Sequence, residues 1–297
     1  MSFQSTLVLL KKTFNGWSED RVSSLAAALA YYTIFSVGPI LIIAIAIAGL
    51  IFGRDAVQGQ LLSKISDIFG AGSAIQIKTM IVSAYNPETS LLAQAVAVII
   101  LLFGASGVFG ELQTGLNAIW GVEPKPGRGI MGIIKDRFFS FTMVLGIGFL
   151  LLVSLILSVV LSMISSYTSH LLPAGEFIAW IINSIISLLG ITCLFALIFK
   201  ILPDVNVFWR DVWLGAFVTS LLFTLGKYLL GIYLVNVNVQ DGFGAAGSLI
   251  IVLVWVYYSA QILFIGAEFT KAFATRNGRT IKPYPEAILV NKCKEEE

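Results

Sequence analysis

Val22-Ser-Ser-Leu-Ala-Ala-Ala-Leu-Ala-Tyr-Tyr-Thr-Ile-Phe-Ser-Val-Gly-Pro-Ile-Leu-Ile-Ile-Ala-Ile-Ala-Ile-Ala-Gly-Leu-Ile-Phe-Gly53 contains no charged residue. A helix that crosses a bilayer needs about 20 predominantly apolar residues, and this run exceeds that. Working outward, charge-free stretches recur at 89–110, 138–175, 177–199 and 242–267, and 212–240 is interrupted only by Lys227. The whole chain of 297 residues is 57% hydrophobic and 12% charged, with a mean hydropathy of +0.90. Soluble domains carry about 25% charged residues. Half that density cannot cover a water-facing surface, so the sequence specifies an integral membrane protein.

The gaps define an all-α, polytopic fold with six spans, near 27–52, 89–110, 138–164, 177–200, 211–235 and 247–271. Ser165–Gly175, rich in Ser, Thr, His, Pro and Gly, separates the third span from the fourth. Lysine and arginine set the orientation. The N-terminus, the second and fourth connections and the C-terminal tail together hold 15 of the 19 basic residues. The other side holds only Arg54, Lys64 and Lys78, and Lys227 lies within a span. Both termini are therefore expected in the cytoplasm.

Residues 55–85 place Val57, Leu61, Ile65, Ile68, Ile77, Met80, Ile81 and Ala84 at helical spacing around Gly70-Ala-Gly72. Each half is too short to cross, which predicts two amphipathic helices on the outer face. Residues 3–17 suggest a similar cytoplasmic helix, with Lys11 and Lys12 near headgroups and Trp17 at the interface. The membrane domain is expected to fill 1–274. From Thr275 a short, polar, disordered cytoplasmic tail is expected, containing Lys282-Pro-Tyr-Pro-Glu286. The first 22 residues are too polar for the apolar core of a signal peptide, and the run behind them is too long for one. Two cysteines, Cys193 and Cys293, and the single His170 provide neither a disulfide framework nor a His/Cys zinc cluster. No metal or cofactor is expected.

Three motifs resemble one family. Leu25-Ala-Ala-Ala-Leu-Ala-Tyr-Tyr-Thr-Ile-Phe-Ser-Val-Gly-Pro39 is similar to the first-helix signature of the YihY/BrkB family of bacterial inner-membrane proteins. Glu111-Leu-Gln-Thr-Gly-Leu-Asn-Ala-Ile-Trp120 resembles a second family motif. Gly242-Phe-Gly-Ala-Ala-Gly-Ser248, leading to Leu253-Val-Trp-Val-Tyr-Tyr-Ser-Ala-Gln261 and Gly266-Ala-Glu268, resembles a third. Phe243 stands where the family commonly has tyrosine. The resemblance covers nearly the whole chain and implies a six-helix envelope protein. It also implies suggested roles in envelope integrity or lipid transport, and it carries an old ribonuclease label.

Lys227 is the costliest residue of the chain, since a charge at mid-membrane costs about 2.5–3.5 kcal/mol on insertion scales. It lies some eight residues from the outer end of span five, roughly 12 Å along the helix. Either its stem snorkels to the outer headgroups, or it faces a cavity that takes an anionic headgroup or a carboxylate. Glu88, Glu176 and Asp241 are the candidate partners. Glu111 and Glu268 stand at the inner ends of spans two and six. They read as interfacial carboxylates paired with Arg137 or Lys271, or as a proton- or cation-linked gate.

Gly242, Gly244 and Gly247 precede span six, and Ser248 can cap it. That arrangement reads as a simple turn or as a nest for an anionic headgroup. Tyr31, Tyr32 and Pro39 mark a broken first helix, which either lines a cavity or only adjusts packing. Asn117 and Trp120 read as a helix-end hydrogen bonder and an interface anchor. Gly104, Gly107 and Gly110, and Ser154, Ser158 and Ser162, form small-residue strips for close helix approach.

The leading functional expectation is a non-enzymatic, transporter-like protein of the bacterial inner membrane, with membrane lipids as partners. A structural protein assembling through small-residue faces, as a homo-oligomer, is the alternative. An enzyme is the weakest reading. With one histidine and no recognisable hydrolase or nucleotide motif, neither nuclease chemistry nor a nucleic-acid partner is expected.

Overall fold

The structure is a computed structural model that describes residues 3–36, 107–126, 175–236 and 245–290, with isolated positions between 53 and 79. In chain order its helices are α1 (Phe3–Glu19), α2 (Val22–Ser36), α3 (107–120), α4 (Gly175–Ile201), α5 (Trp209–Asn236) and α6 (Ala245–Arg276). Two short strands, β1 (Val122–Pro124) and β2 (Ala287–Leu289), complete the description.

Among the described residues, three helices are long and apolar enough to cross a membrane: Ser184–Ile201, Trp209–Ile232 and Leu249–Arg276. They fall within or beside the last three spans expected from the charge gaps. Only 28%, 28% and 33% of these windows are buried, and exposed apolar residues on them include Ile185, Leu189, Leu225, Leu229, Leu249 and Leu253, as expected where helices meet lipid. The third span and Gly38-Pro39 lie outside the described residues, as does most of the second span. The two outer-face helices fall largely outside them too. Isolated helical positions are described there, with a Thr79 hydroxyl bond to the Ile75 carbonyl of 3.0 Å.

α5 packs against both α4 and α6, and α1 packs against α6. Small residues set the close approaches. Gly215 of α5 faces Thr270 of α6, Gly266 of α6 faces Thr219 of α5, and Gly226 faces Tyr258. The pairs run in opposite directions along the two helices, which fixes an antiparallel register. Thr219 and Thr270 are fully buried, and each hydroxyl donates to the carbonyl four residues earlier (Gly215 and Gly266) at 2.7 Å. No polar group is stranded at the contact. Between α4 and α5, the Thr192 and Ser220 hydroxyls meet at 2.7 Å.

Among the described residues a buried core includes Leu116, Ile119, Trp120, Phe199, Val212 and Phe264. Two glycine-terminated helices contribute to it. α3 stops at Gly121 (φ 66°) and α6 at Gly278 (φ 71°), conformations that favour a residue without Cβ. The Arg279 N–H reaches back to the Ala274 carbonyl at 3.3 Å, which satisfies one orphan carbonyl of the ended helix.

The chain after α6 corrects the expectation of a disordered tail. β2 pairs antiparallel with β1, Val122 opposite Leu289 and Pro124 opposite Ala287, and Val205 bridges Pro283. Backbone bonds from Asn206 N–H to Lys282 O (2.9 Å) and from Tyr284 N–H to Asp204 O (2.9 Å) fasten this strap to the α4–α5 turn. The all-α expectation therefore needs a small exception. The polar composition of 277–290 reflects exposed side chains, while its backbone is paired, and paired backbone is what order requires.

Candidate functional site

Two polar clusters occupy the end of the bundle where α1 and the strap meet. The first joins α1, α2 and α6. Trp17 Nε1 donates to Gln261 Oε1 at 2.9 Å, and Gln261 Nε2 donates to Ser23 Oγ (3.1 Å) and Tyr257 Oη (2.8 Å). Nearly three turns further along α6, Lys271 Nζ binds Asp20 Oδ2 at 3.0 Å and stands 3.7 Å from Glu268 Oε2. Glu268 is 2% exposed. Its carboxyl group fits against the bare α-carbon of Gly16, where a Cβ would lie 2.8 Å from Glu268 Cδ. Arg276 adds a bond to the Ser5 carbonyl at 3.2 Å. α1 is thus bolted to α6 along its length and presents Leu7, Val8, Leu10 and Phe14 outward beside Lys11 and Lys12.

The second cluster holds the α4–α5 turn. Asn117 of α3 donates from Nδ2 to Asp204 Oδ2 (2.9 Å) and accepts the Asp204 N–H on Oδ1 (2.8 Å), while Gln113 Nε2 reaches Asp204 Oδ1 at 3.2 Å. Lys200 Nζ donates to the Val207 carbonyl at 2.5 Å and lies 5.9 Å from the Trp209 ring centroid. Asp211, in the first turn of α5 and 1% exposed, is ion-paired and hydrogen-bonded to Arg279 of the strap. The Arg279 guanidinium stacks over Phe208 at 4.6 Å.

The expected site residues distribute as follows. Glu268 stands 3.7 Å from Lys271, which is bonded to Asp20, and Arg137 lies outside the described residues. Glu111 is half-buried and makes no hydrogen bond or ion pair among the described residues. Asn117 is buried and bonds a distant turn rather than a helix end. Trp120 is 3% exposed inside the core, which corrects its reading as an interface anchor: the strap and the α4–α5 turn close over it. Trp17 is likewise committed to Gln261.

Tyr31 and Tyr32 are exposed, their rings 5.7 Å apart. Gly107 faces Tyr32 and Ser36. Gly247 and Ser248 fall inside α6, which starts at Ala245, so Ser248 is not the residue that precedes the helix. Gly244 and Pro39 lie outside the described residues. Lys227 stands on the exposed side of α5 beside Leu225, Tyr228, Leu229 and Ile232, all exposed, with Nζ 5.4 Å over the Tyr228 ring. Of its candidate partners, Glu88, Asp241 and the Glu176 side chain lie outside the described residues.

Sequence reading missed Asp20, Asp204, Asp211 and Arg279, the residues that fasten this end. It also missed Gly215-Ala-Phe-Val-Thr219 and Gly266-Ala-Glu-Phe-Thr270, a repeated Gly-x-x-x-Thr pattern that was visible in the sequence.

These features define a helical integral membrane protein with apolar helices of membrane-spanning length, whose charged end is fastened by α1 and the strap. The chain belongs to the family described as Virulence factor BrkB, whose profile matches residues 13–288. Among curated relatives, a protein named UPF0761 membrane protein from Alteromonas mediterranea is 25% identical over 259 residues, covering 85% of this chain and 83% of its own. One of the same name from Acinetobacter baylyi is 26% identical over 97% of this chain and 67% of its own. A third, from Haemophilus influenzae, is 25% identical over 85% of this chain and 90% of its own. No solved structure matches this chain.

Proposed function

We propose that this protein is a non-enzymatic, transporter-like component of the bacterial inner membrane, with both termini cytoplasmic. In this reading it handles lipid or another envelope component and so supports envelope integrity. Lys227 carries the reading. It is a cation on the exposed face of a helix long enough to cross, roughly 27 Å along α5 from Trp209 at the helical rise. No carboxylate among the described residues pairs with it. A phosphate headgroup is then the counter-ion at hand. A cation in the hydrocarbon lowers the electrostatic penalty of drawing an anionic headgroup from the interface.

The excess of basic residues at the end bearing α1 and the strap supports cytoplasmic termini. Neither cluster sets a nucleophile beside a base, which favours the non-enzymatic reading, and no nucleic-acid partner is assigned. The test is translocation of labelled anionic and zwitterionic lipids in proteoliposomes, wild type beside Lys227→Ala. Movement that depends on Lys227 is expected. No movement by folded wild-type protein would overturn the proposal.

A scaffolding role is the second reading, and one observation favours it. Gly190 and Gly231, within candidate spans, have open space where a Cβ would stand, so each leaves a gap that a second copy can fill. Leucine at either position would then break an oligomer and leave the monomer intact.

A further inference from the structure

A cleft of about 420 Å³ opens where the first turn of α5 meets the last turn of α6 and the strap. Its walls are Arg210, Asp211, Leu214, Phe273, Asn277 and Arg279. That volume lies within the range of small-ligand sites, about 300–1,000 Å³. Three features restrict what fits.

The first is charge. Arg279 is neutralised by Asp211, while Arg210 is exposed and has no ion-pair partner among the described residues. The cleft is therefore left with one uncompensated positive charge, and guanidinium groups bind phosphate oxygens in pairs.

The second is Asp211. It is 1% exposed, and its Oδ1 accepts no hydrogen bond among the described residues while Oδ2 is held by Arg279. A buried carboxylate oxygen without a donor is costly, so a ligand that brings a hydroxyl or N–H is favoured over one that does not.

The third is position. The apolar walls, Leu214 and Phe273, belong to two helices whose membrane-length segments begin and end here, Trp209–Ile232 and Leu249–Arg276. Trp209 and Trp213 stand exposed beside the cleft, and exposed tryptophan is favoured at a membrane–water boundary.

We propose that this cleft binds the headgroup of phosphatidylglycerol. Arg210 takes the single negative charge of the phosphodiester, a glycerol hydroxyl donates to Asp211, and Leu214 and Phe273 meet the start of the acyl chains. The site is separate from Lys227, which lies far along α5, and it does not depend on lipid being moved.

The test uses the full-length protein in detergent, with native mass spectrometry to count retained lipid during titration with phosphatidylglycerol, phosphatidylethanolamine or phosphatidylcholine. Phosphatidylglycerol should be retained best and phosphatidylcholine least, because choline offers no hydrogen-bond donor. Arg210→Gln should weaken phosphatidylglycerol retention about tenfold. Lys282→Gln, which removes a charge from the same strap outside the cleft, should not. Arg210 supports no described contact, so its loss leaves the fold intact, and circular dichroism verifies that.

Equal retention of the three lipids, or equal losses in both variants, would overturn the assignment. Displacement by millimolar glycerol phosphate or inorganic phosphate would overturn the lipid source and leave a soluble anion site. The translocation assay is scored separately, so a failed cleft and a failed transport reading give different results.

Discussion

The reciprocal glycine–threonine contacts between α5 and α6 make a quantitative prediction. A Cβ placed on Gly266 would lie 2.9 Å from Thr219 Cβ and 2.8 Å from its Cγ2, where ordinary contact is 3.4–4 Å. The helices would have to part by at least half an ångström. Thr219 cannot swing aside freely, since its hydroxyl is bound to the Gly215 carbonyl at 2.7 Å. Overpacking of this kind costs about 1–3 kcal/mol, and we expect Gly266→Ala to cost about 2 kcal/mol on that scale. Thr219→Ala removes the hydroxyl and Cγ2 but leaves Cβ, and should cost about 1 kcal/mol through lost packing and one hydrogen bond.

In the double variant the clashes with Oγ1 and Cγ2 are gone and only the 2.9 Å Cβ–Cβ approach remains, so it should be more stable than the two single effects predict by about 1 kcal/mol. Gly231→Ala is the internal control: nothing stands within 4 Å of its Cβ position, and alanine is the better helix former by about 1 kcal/mol. It should be neutral or stabilising. The assay is reversible unfolding of the purified protein in mixed detergent–SDS micelles, followed by ellipticity. Effects that add to within about 0.5 kcal/mol would refute the reasoning, as would a Gly231→Ala penalty equal to that of Gly266→Ala.

Arg279→Ala leaves Asp211 buried without its counter-ion, which should destabilise by about 3–5 kcal/mol. Limited proteolysis should then cut beyond Arg276, where wild type resists. Asn117→Ala removes two of the four described hydrogen bonds that hold Asp204. It should cost about 2 kcal/mol and speed amide exchange in 202–208, with α1 unaffected. Gly16→Ala places a methyl group against the Glu268 carboxylate, so α1 should lift from α6. A cysteine introduced at Ser23 should then label faster, whereas Gly59→Ala, with open space at its Cβ position, should leave labelling unchanged.

The last three expected spans were legible because charge is excluded from hydrocarbon residue by residue. The charge-free run 177–199 contains most of Ser184–Ile201 and 212–240, broken only by Lys227, contains most of Trp209–Ile232, while Leu249–Arg276 continues past the end of run 242–267 through Glu268 and Lys271. The strap was not legible, because Lys282-Pro-Tyr-Pro-Glu286 has the composition of a loop. Its order comes from backbone bonds to Asp204 and Asn206, and from Lys125 N–H to Glu286 O at 3.0 Å. These partners are far away in sequence and have no local signature. Trp120 was misplaced for the same reason: a tryptophan at the end of a span signals an interface until something folds over it. The Gly-x-x-x-Thr repeats were present in the sequence, but only the antiparallel register of α5 and α6 pairs each glycine with the other helix's threonine.

The basic residues that orient such a chain in the membrane also hold its charged end together. Lys271 binds Asp20 and neighbours Glu268, Arg279 binds Asp211, Arg276 binds the Ser5 carbonyl and Lys200 binds the Val207 carbonyl. Lys200, Lys271 and Arg276 lie at or near helix C-termini, where orphan carbonyls and the helix dipole favour a cation. Each of these charges therefore has a local structural reason to be where it is, apart from any rule of topology. Lys11, Lys12 and Arg210 are different, since they are exposed and have no ion-pair partner among the described residues. A cation without an internal partner is available to what lies outside the protein. The structural cations and the available ones thus separate by their partners, although in sequence they are indistinguishable.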